Sequence, residues 1–421
     1  MHFNDFNFHA TLRGNIQTLG YREPTPIQAQ AIGPVLEGSD VMGLAQTGTG
    51  KTAAFALPIL QRLMQGPRKK IRALIIAPTR ELTEQTHKVI GQLGRGTGLR
   101  SMSMYGGVSM QPQLTALKRG VHIICACPGR LLDHIQRGTI DVSAIDMLVL
   151  DEADHMFDMG FLPDIKKIIR ALPVRRQTLL FSATMPDDIR RLADSVLNDP
   201  VRVQIDHTTP IDSVSHVFYP VQTERKTDLL KTLLAAAPTG PVLVFARTKM
   251  RAKNIARQLE SSGFRATALH GNLSQNNRQK ALDGFGRGIY SILVATDVAA
   301  RGIDVRGVSH VINYDIPDTV DAYTHRTGRT GRASALGEAF TFVTGSDGST
   351  AGSIKRMLGD RLQYGHMEGF AADASGAAER SRRPMYKARR PAVSAKPGRK
   401  PKSRAGDRGR FGSRRAAQHA A

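Results

Sequence analysis

At 421 residues the chain is long enough for two α/β domains and an extension. A formal net charge of +23 calls for a polyanionic partner, since no other common ligand requires so much positive field. No run of eighteen apolar residues is present, the opening M-H-F-N-D-F-N-F lacks the basic start and apolar core of a signal peptide, and two cysteines cannot build a disulfide framework. The expectation is a cytoplasmic protein with no membrane role.

The charge is unevenly spread. Residues 371 to 421 hold fifteen Lys and Arg against three Asp and Glu, a net of +12, which leaves +11 for the rest. Pro, Gly, Ser and Ala dominate there and large apolar residues are almost absent, so the segment cannot bury a core and is expected to be disordered.

In chain order, Phe3, Phe6 and Phe8 precede a helical stretch to Leu19. G-Y-R-E-P-T-P-I-Q at Gly20 to Gln28 is a turn with two prolines leading into a second helix. The short apolar strand Val41 to Leu44 runs into A-Q-T-G-T-G-K-T at Ala45 to Thr52, followed by a helix whose buried face is Phe55, Leu57, Ile59, Leu60 and Leu63. Strand and helix then alternate, as a parallel sheet requires. Ile71 to Ala77 is a strand ending in P-T-R-E-L, and later strand ends carry Y-G-G at Tyr105 to Gly107 and C-P-G-R at Cys127 to Arg130. Cys125 and Cys127 lie two apart on a strand-like segment and are expected to be reduced, buried and not a metal site. Met147 to Leu150 is an unbroken apolar run ending in D-E-A-D at Asp151 to Asp154, and Gln177 to Phe181 ends in S-A-T at Ser182 to Thr184. A helix over 186 to 198, a strand over 201 to 205 and a polar linker at 206 to 213 follow.

The alternation restarts with strands at Val214 to Val221, Val242 to Ala246, Thr267 to Leu269, Ile292 to Ala295, Val308 to Asn313 and Ala339 to Val343, and helices near 224–237, 248–262, 274–285 and 350–359. This half has no phosphate loop. Its strand ends instead carry A-T-D-V-A-A-R-G-I-D at Ala295 to Asp304 and H-R-T-G-R-T-G-R at His325 to Arg332.

The residue types of the first loop fit a nucleotide. Gly48 and Gly50 let consecutive N–H groups turn inward, the helix N-terminus adds partial positive charge, Lys51 can reach the β and γ phosphates, and the Thr52 hydroxyl can ligate Mg²⁺. Ala45 stands where the strict pattern has Gly. Asp151 and Glu152 close a strand about a hundred residues later, at the sheet edge where α/β proteins bind ligands. Alone, they read equally well as a solvated acidic turn.

D-E-A-D at Asp151 to Asp154, with A-Q-T-G-T-G-K-T at Ala45 to Thr52, resembles the DEAD-box RNA helicases, whose phosphate loop also begins with Ala; the likeness runs from residue 1 to about 360. It implies that Ala45, Gln46, Thr47, Gly48, Thr49, Gly50, Lys51 and Thr52 cradle ATP. It also implies that Gln28 bonds the adenine edge, Tyr21 stacks on its face with Phe3 bracing the loop, and Gly302 and Asp304 hold the ribose. Thr52 and Asp151 would hold Mg²⁺, with Lys51, Glu152, Asp154, Ser182, Thr184, His325 and the arginine fingers Arg329 and Arg332 as the catalytic set. Ser182 and Thr184 are expected to hydrogen-bond Asp154 and to couple hydrolysis to strand separation. RNA contacts would come from Thr79, Arg80, Gly106, Gly107, Pro128, Gly129 and Arg130, while in the second half Arg247, Gln275, Arg278, Thr296 and Asp297 would touch RNA or organise those contacts. The family usually has Thr where Cys127 stands, and a thiol is the weaker donor.

The expected fold is α/β, with two tandem RecA-like doubly wound parallel-sheet domains at 1–205 and 214–362, a linker at 206–213 and a disordered basic tail at 363–421. The expected function is ATP-dependent remodelling or local unwinding of structured RNA and RNA–protein complexes, with ATP and Mg²⁺ as cofactors. The bacterial RhlE-like branch is the most similar part of the family. Single-stranded RNA and short duplexes are the expected ligands of a monomeric core, with ribosomal or RNA-decay proteins as candidate partners of the tail. A DNA helicase and an ATP-gated RNA clamp or annealing chaperone fit the same residues.

Overall fold

The computed structural model describes residues 1–370 apart from 47, 68–69, 206–213, 237–239, 301–306, 332–336 and 368–369. The expected linker and the basic segment from 371 lie outside the described residues. In chain order the first lobe contains β1 (Val41–Leu44), β2 (Ala73–Ile76), β3 (Ser101–Met104), β4 (Ile123–Ala126), β5 (Met147–Leu150), β6 (Gln177–Ser182) and β7 (Val201–Gln204). The second contains β8 (Val214–Pro220), β9 (Val242–Phe245), β10 (Ala266–Leu269), β11 (Ile292–Ala295), β12 (His310–Asn313), β13 (Gly337–Val343) and β14 (Leu362–Tyr364). Each lobe is one seven-stranded sheet, ordered β3-β4-β2-β5-β6-β1-β7 and β10-β11-β9-β12-β13-β8-β14, and the pairings are parallel.

The central strands are four-residue apolar runs because helices cover both faces of each sheet. In β5, Met147 and Val149 enter one core while Leu148 and Leu150 enter the other; in β9, Val242 and Val244 oppose Leu243 and Phe245 in the same way. Truncating a fully buried side chain such as Leu148 to Ala would cost about 2–5 kcal/mol, a large part of a domain's stability. In register, Leu44 stands opposite Ser182, and Ile76 opposite both Ala126 and Leu150. The loops after β1, β2, β4, β5 and β6 therefore emerge side by side along one carboxyl edge, which is where the polar motifs lie.

Strand and helix positions agree with expectation to within two residues at each end. The boundary of the second lobe does not. β14 pairs Leu362, Gln363 and Tyr364 with His216, Val217 and Phe218, and Met367 and Phe370 pack on the core beyond it, so placing the tail from 363 is too early. A three-residue edge strand is too short to show any periodicity. Both cysteines are free and buried. Among the described residues no helix is long and apolar enough to cross a membrane.

Candidate active site

The phosphate loop turns at Gly48 and Gly50, whose φ values of 89° and 95° are left-handed and suit only glycine. A Cβ on Gly50 would also lie 2.5 Å from Gln28 Nε2. Lys51, the first residue of the helix Lys51–Leu63, folds back over the loop and donates from Nζ to Ala45 O at 2.8 Å, while Thr49 Oγ1 donates to Gln46 O at 2.8 Å. Gln28 ties the proline turn to this loop: its Oε1 accepts from Thr25 N and its Nε2 donates to Gly50 O, both at 3.0 Å. Tyr21 lies edge-on to Phe3 with ring centroids 6.0 Å apart.

Beside the loop, β5 delivers two buried carboxylates. Glu152 has φ 51° and ψ 54°, a left-handed conformation that costs a non-glycine residue about 1–3 kcal/mol and collects at functional sites. Its N–H donates to Asp151 Oδ1 at 3.0 Å, and its Oε2 lies 2.7 Å from His155 Nδ1. Burial pushes the Asp151 carboxyl up to about 6 against the opposing charge of Lys51. Burial acts the same way on Glu152, but the His155 hydrogen bond, then the charges of His155, Lys51 and Arg329, overcome it and hold Glu152 below the usual carboxylate range. Asp154 joins β5 to β6: its Oδ2 accepts from Ala183 N at 3.2 Å, Thr184 N at 3.0 Å and Thr184 Oγ1 at 3.1 Å.

The second lobe brings the C-terminal end of a helix to this edge, where the sequence suggested a strand end. The His325 ring, on the helix Val320–Thr327, meets the His155 ring at 5.1 Å and 87°. Arg329 is buried, and its charge reaches Glu152. Arg326 is spent within its own lobe, on both oxygens of Asp297 at 2.5 and 2.7 Å and on Asn313 Oδ1 and Asp315 O.

Further along the first sheet's edge lies a backbone-lined face. Thr79 caps the helix Arg80–Leu93 by accepting from Leu82 N, and the Arg80 guanidinium covers Gly107, where a Cβ would meet it at 2.3 Å. Gln113 Nε2 donates to Tyr105 O at 3.0 Å and Arg130 donates to Gln113 Oε1 and Val108 O, so two side chains hold the Y-G-G loop. A Cβ at Gly106 or Gly129 would meet nothing within 4 Å, leaving backbone open to a ligand. Pro128 and Gly129 open the helix Pro128–Gln136, whose cap Cys127 makes no side-chain capping bond; its thiol lies 3.3 Å from Thr83 Oγ1, and burial pushes it up to about 11. A cavity of about 510 Å³ lined in part by Arg62, Asp146, Arg175 and Arg176 shares no residue with either site.

Residues 25–192 match the DEAD/DEAH box helicase family and residues 225–334 the helicase conserved C-terminal domain. The DEAD-box ATP-dependent RNA helicase CshA of Streptococcus pneumoniae is 45% identical over 366 residues, covering 86% of this chain and 69% of that protein. This chain belongs to the DEAD-box ATP-dependent RNA helicases. The CshA helicase of Geobacillus kaustophilus is 44% identical over 344 residues, 81% and 73% of the two chains. Among solved structures, S. cerevisiae Dbp5 bound to RNA and ADP BeF3 superposes with a TM-score of 0.77 at 30% identity, covering 86% of this helicase and 95% of that chain.

One assignment changes in the folded helicase. Ser182 does not donate to the Asp154 carboxylate: its Oγ accepts from Asp154 N at 3.2 Å and donates to Thr184 O at 2.7 Å, so only Thr184 of the two hydroxyls reaches the acid. Gln275 Nε2 and Arg278 Nε both donate to Glu81 Oε1 across the lobes, at 3.2 and 2.8 Å. Asp297 is paired with Arg326, Arg247 reaches Ile316 O and Asp318, and Thr296 is buried beside them. Thr47, Gly302, Asp304 and Arg332 lie outside the described residues. Sequence reasoning missed His155, Glu81 and Gln113. The i,i+3 spacing of Glu152 and His155 was the one signal available.

Proposed function

We propose that this helicase hydrolyses ATP between its lobes, with Lys51, Asp151 and Glu152 from the first and Arg329 and Arg332 from the second, and that Lys51 exchanges Ala45 O for the β and γ phosphates. The observation that carries this reading is the convergence of Lys51, two buried carboxylates and Arg329 on one sheet edge. Phosphoryl transfer needs positioning and charge neutralisation more than covalent help. Glu152, kept ionised, orients the attacking water and takes its proton, while the fingers meet the charge that develops in the transition state. Gln28 and Tyr21 contact the adenine, and Gly302 and Asp304 the ribose. Asp154, Ser182, Thr184 and His325 link the two lobes' movements to the chemistry.

A divalent cation fits the residues present. Asp151 is a buried carboxylate that feels the charge of Lys51, the residue before Thr52, and among the described residues no cluster of three or more His, Cys, Asp or Glu could hold a metal unaided. One carboxylate and one hydroxyl, completed by water and phosphates, is how Mg²⁺ is usually held. Bound there, Mg²⁺ neutralises phosphate charge and keeps Asp151 ionised.

The open backbone at Gly106 and Gly129, with Thr79, Arg80, Gly107, Pro128 and Arg130 along the first sheet's edge and Arg247 and Thr296 at strand ends of the second, grips the sugar-phosphate strand of RNA. Gln275, Arg278 and Asp297 act indirectly, by holding neighbours. Domain limits near 1–205 and from 214, a RhlE-like placement resting on the compact core and basic extension, a cytoplasmic site of action, and ribosomal or RNA-decay partners for the tail complete the reading. The relatives compared above carry the CshA name instead. The test is ATPase rate with RNA, with single-stranded DNA and with neither. Stimulation by RNA alone is expected; equal stimulation by DNA, or RNA binding without turnover, would overturn it.

A further inference from the structure

We infer that His155 is a positioning residue for Glu152, fixing one carboxylate oxygen so that the other is presented to the attacking water, and that it does so in contact with His325 of the second lobe. This rests on the reading of Glu152 as the base.

Four observations carry it. The His155 Nδ1 to Glu152 Oε2 distance is 2.7 Å, with the two side chains only 2% and 3% exposed, so no water competes for the bond. An ionised carboxylate is acceptor-only, which assigns the proton to Nδ1 and makes the imidazole the donor. The residue is itself held, by its backbone N–H on Asp154 Oδ1 at 3.0 Å, and its ring lies against the His325 ring at 5.1 Å across the lobes. Its Nε2 is buried with no hydrogen-bond partner among the described residues, so the only side-chain hydrogen bond this ring makes there is the one from Nδ1 to Glu152.

The physical need is clear. A glutamate has three side-chain torsions, and a general base must point within narrow limits of distance and angle at the proton it takes. The strained backbone of Glu152 fixes where the side chain starts, and the His155 bond fixes where it ends. Because one wall of the His155 site is His325, the base is fully braced only when the lobes meet. Closure thereby aims the base as well as delivering the fingers.

The test compares His155→Leu, His155→Asn and Glu152→Gln in the full chain, measuring kcat and the half-saturation for ATP and for RNA, with equilibrium binding of a fluorescent ATP analogue. Leucine keeps bulk without a donor, whereas the asparagine amide N–H stands where Nδ1–H stood. His155→Leu is expected to lower kcat about ten- to a hundredfold, the worth of one hydrogen bond to a charged group, with ATP and RNA binding unchanged, and His155→Asn to regain most of the loss. If the leucine variant fails to fold, His155→Gln, which displaces the amide by one methylene, takes its place with the same expected loss. Parent-like kcat in the donor-less variant, a loss confined to half-saturation, or an asparagine variant as slow as leucine would each overturn the inference. Glu152→Gln separates the two readings: full turnover there removes Glu152 as the base, whereas a dead Glu152→Gln beside an unaffected His155→Leu removes only the positioning role.

Discussion

The two lobes share a strand order and differ in what they place at the strand ends. The first fills its carboxyl edge with buried acids whose oxygens are already engaged within the lobe: Asp154 on the segment after β6, Asp151 on Glu152 N, Glu152 on His155. The second keeps Arg326 on Asp297 and Arg247 on Asp318 within itself, and turns Gln275, Arg278 and His325 toward its neighbour. The first lobe is thus a finished binding site that lacks positive charge from outside, and the second is a set of contacts that acts only where the lobes meet. Substitutions in the first lobe's phosphate loop should cost binding and chemistry together, and substitutions in the contacts that meet across the lobes should cost rate or coupling while leaving the nucleotide bound.

The largest effect that checks this contrast comes from Lys51→Ala. It removes the point charge of the phosphate loop and the bond to Ala45 O, so ATPase activity should fall to background and ATP affinity with it. Near-normal turnover would take the phosphate loop out of the catalytic site. Arg329→Ala should slow kcat about a thousandfold, as loss of an arginine finger does, with ATP half-saturation little changed. Equal losses in both quantities would put Arg329 in ground-state binding and break the contrast between the lobes.

How far the sequence anticipated this arrangement depends on whether a property is local. Both sheets were legible because apolar runs such as Met147–Leu150 and Ile292–Ala295 report burial on two faces wherever they occur, and the phosphate loop was legible because its glycines and lysine act within eight residues. Contacts set by the meeting of distant segments were not. Glu81 and Arg278 lie 197 positions apart, so their pairing follows from no pattern. The Asp297–Arg326 pair, 29 positions apart, is hidden in the same way. The small β14 strand went unseen because only its partner β8 makes Leu362–Tyr364 a strand at all.

Glu81→Ala probes the lobe contact directly and should have a smaller effect. Glu81 is buried and is shared by Gln275 and Arg278, so its loss releases both second-lobe side chains at once. On the proposed function, ATP and RNA binding are coupled through closure, and such couplings are typically about 1–3 kcal/mol. RNA half-saturation in the presence of ATP should therefore rise about tenfold, while RNA binding without nucleotide stays at the parent value. An equal loss with and without ATP would mean that Glu81 shapes the RNA surface itself instead of the closed state.

The smallest effect on turnover is expected from the basic segment that follows the second lobe. Residues 371 to 421 carry a net +12, more than half of the chain's +23, yet every residue assigned to ATP or to the RNA edge precedes them. Each Lys or Arg that meets a phosphate releases a condensed counterion, so this segment should add affinity for RNA of any sequence and make that affinity salt-dependent. A chain ending at 370 should reach the parent kcat at saturating RNA, need more RNA to do so, and lose up to about 0.7 of log–log salt slope for each phosphate contact removed. The measurement is ATPase rate against RNA concentration at several salt levels for both chain lengths. Unchanged half-saturation with unchanged slope would show that the lobes alone set RNA affinity, and would leave an acidic protein surface as the partner for the extra charge.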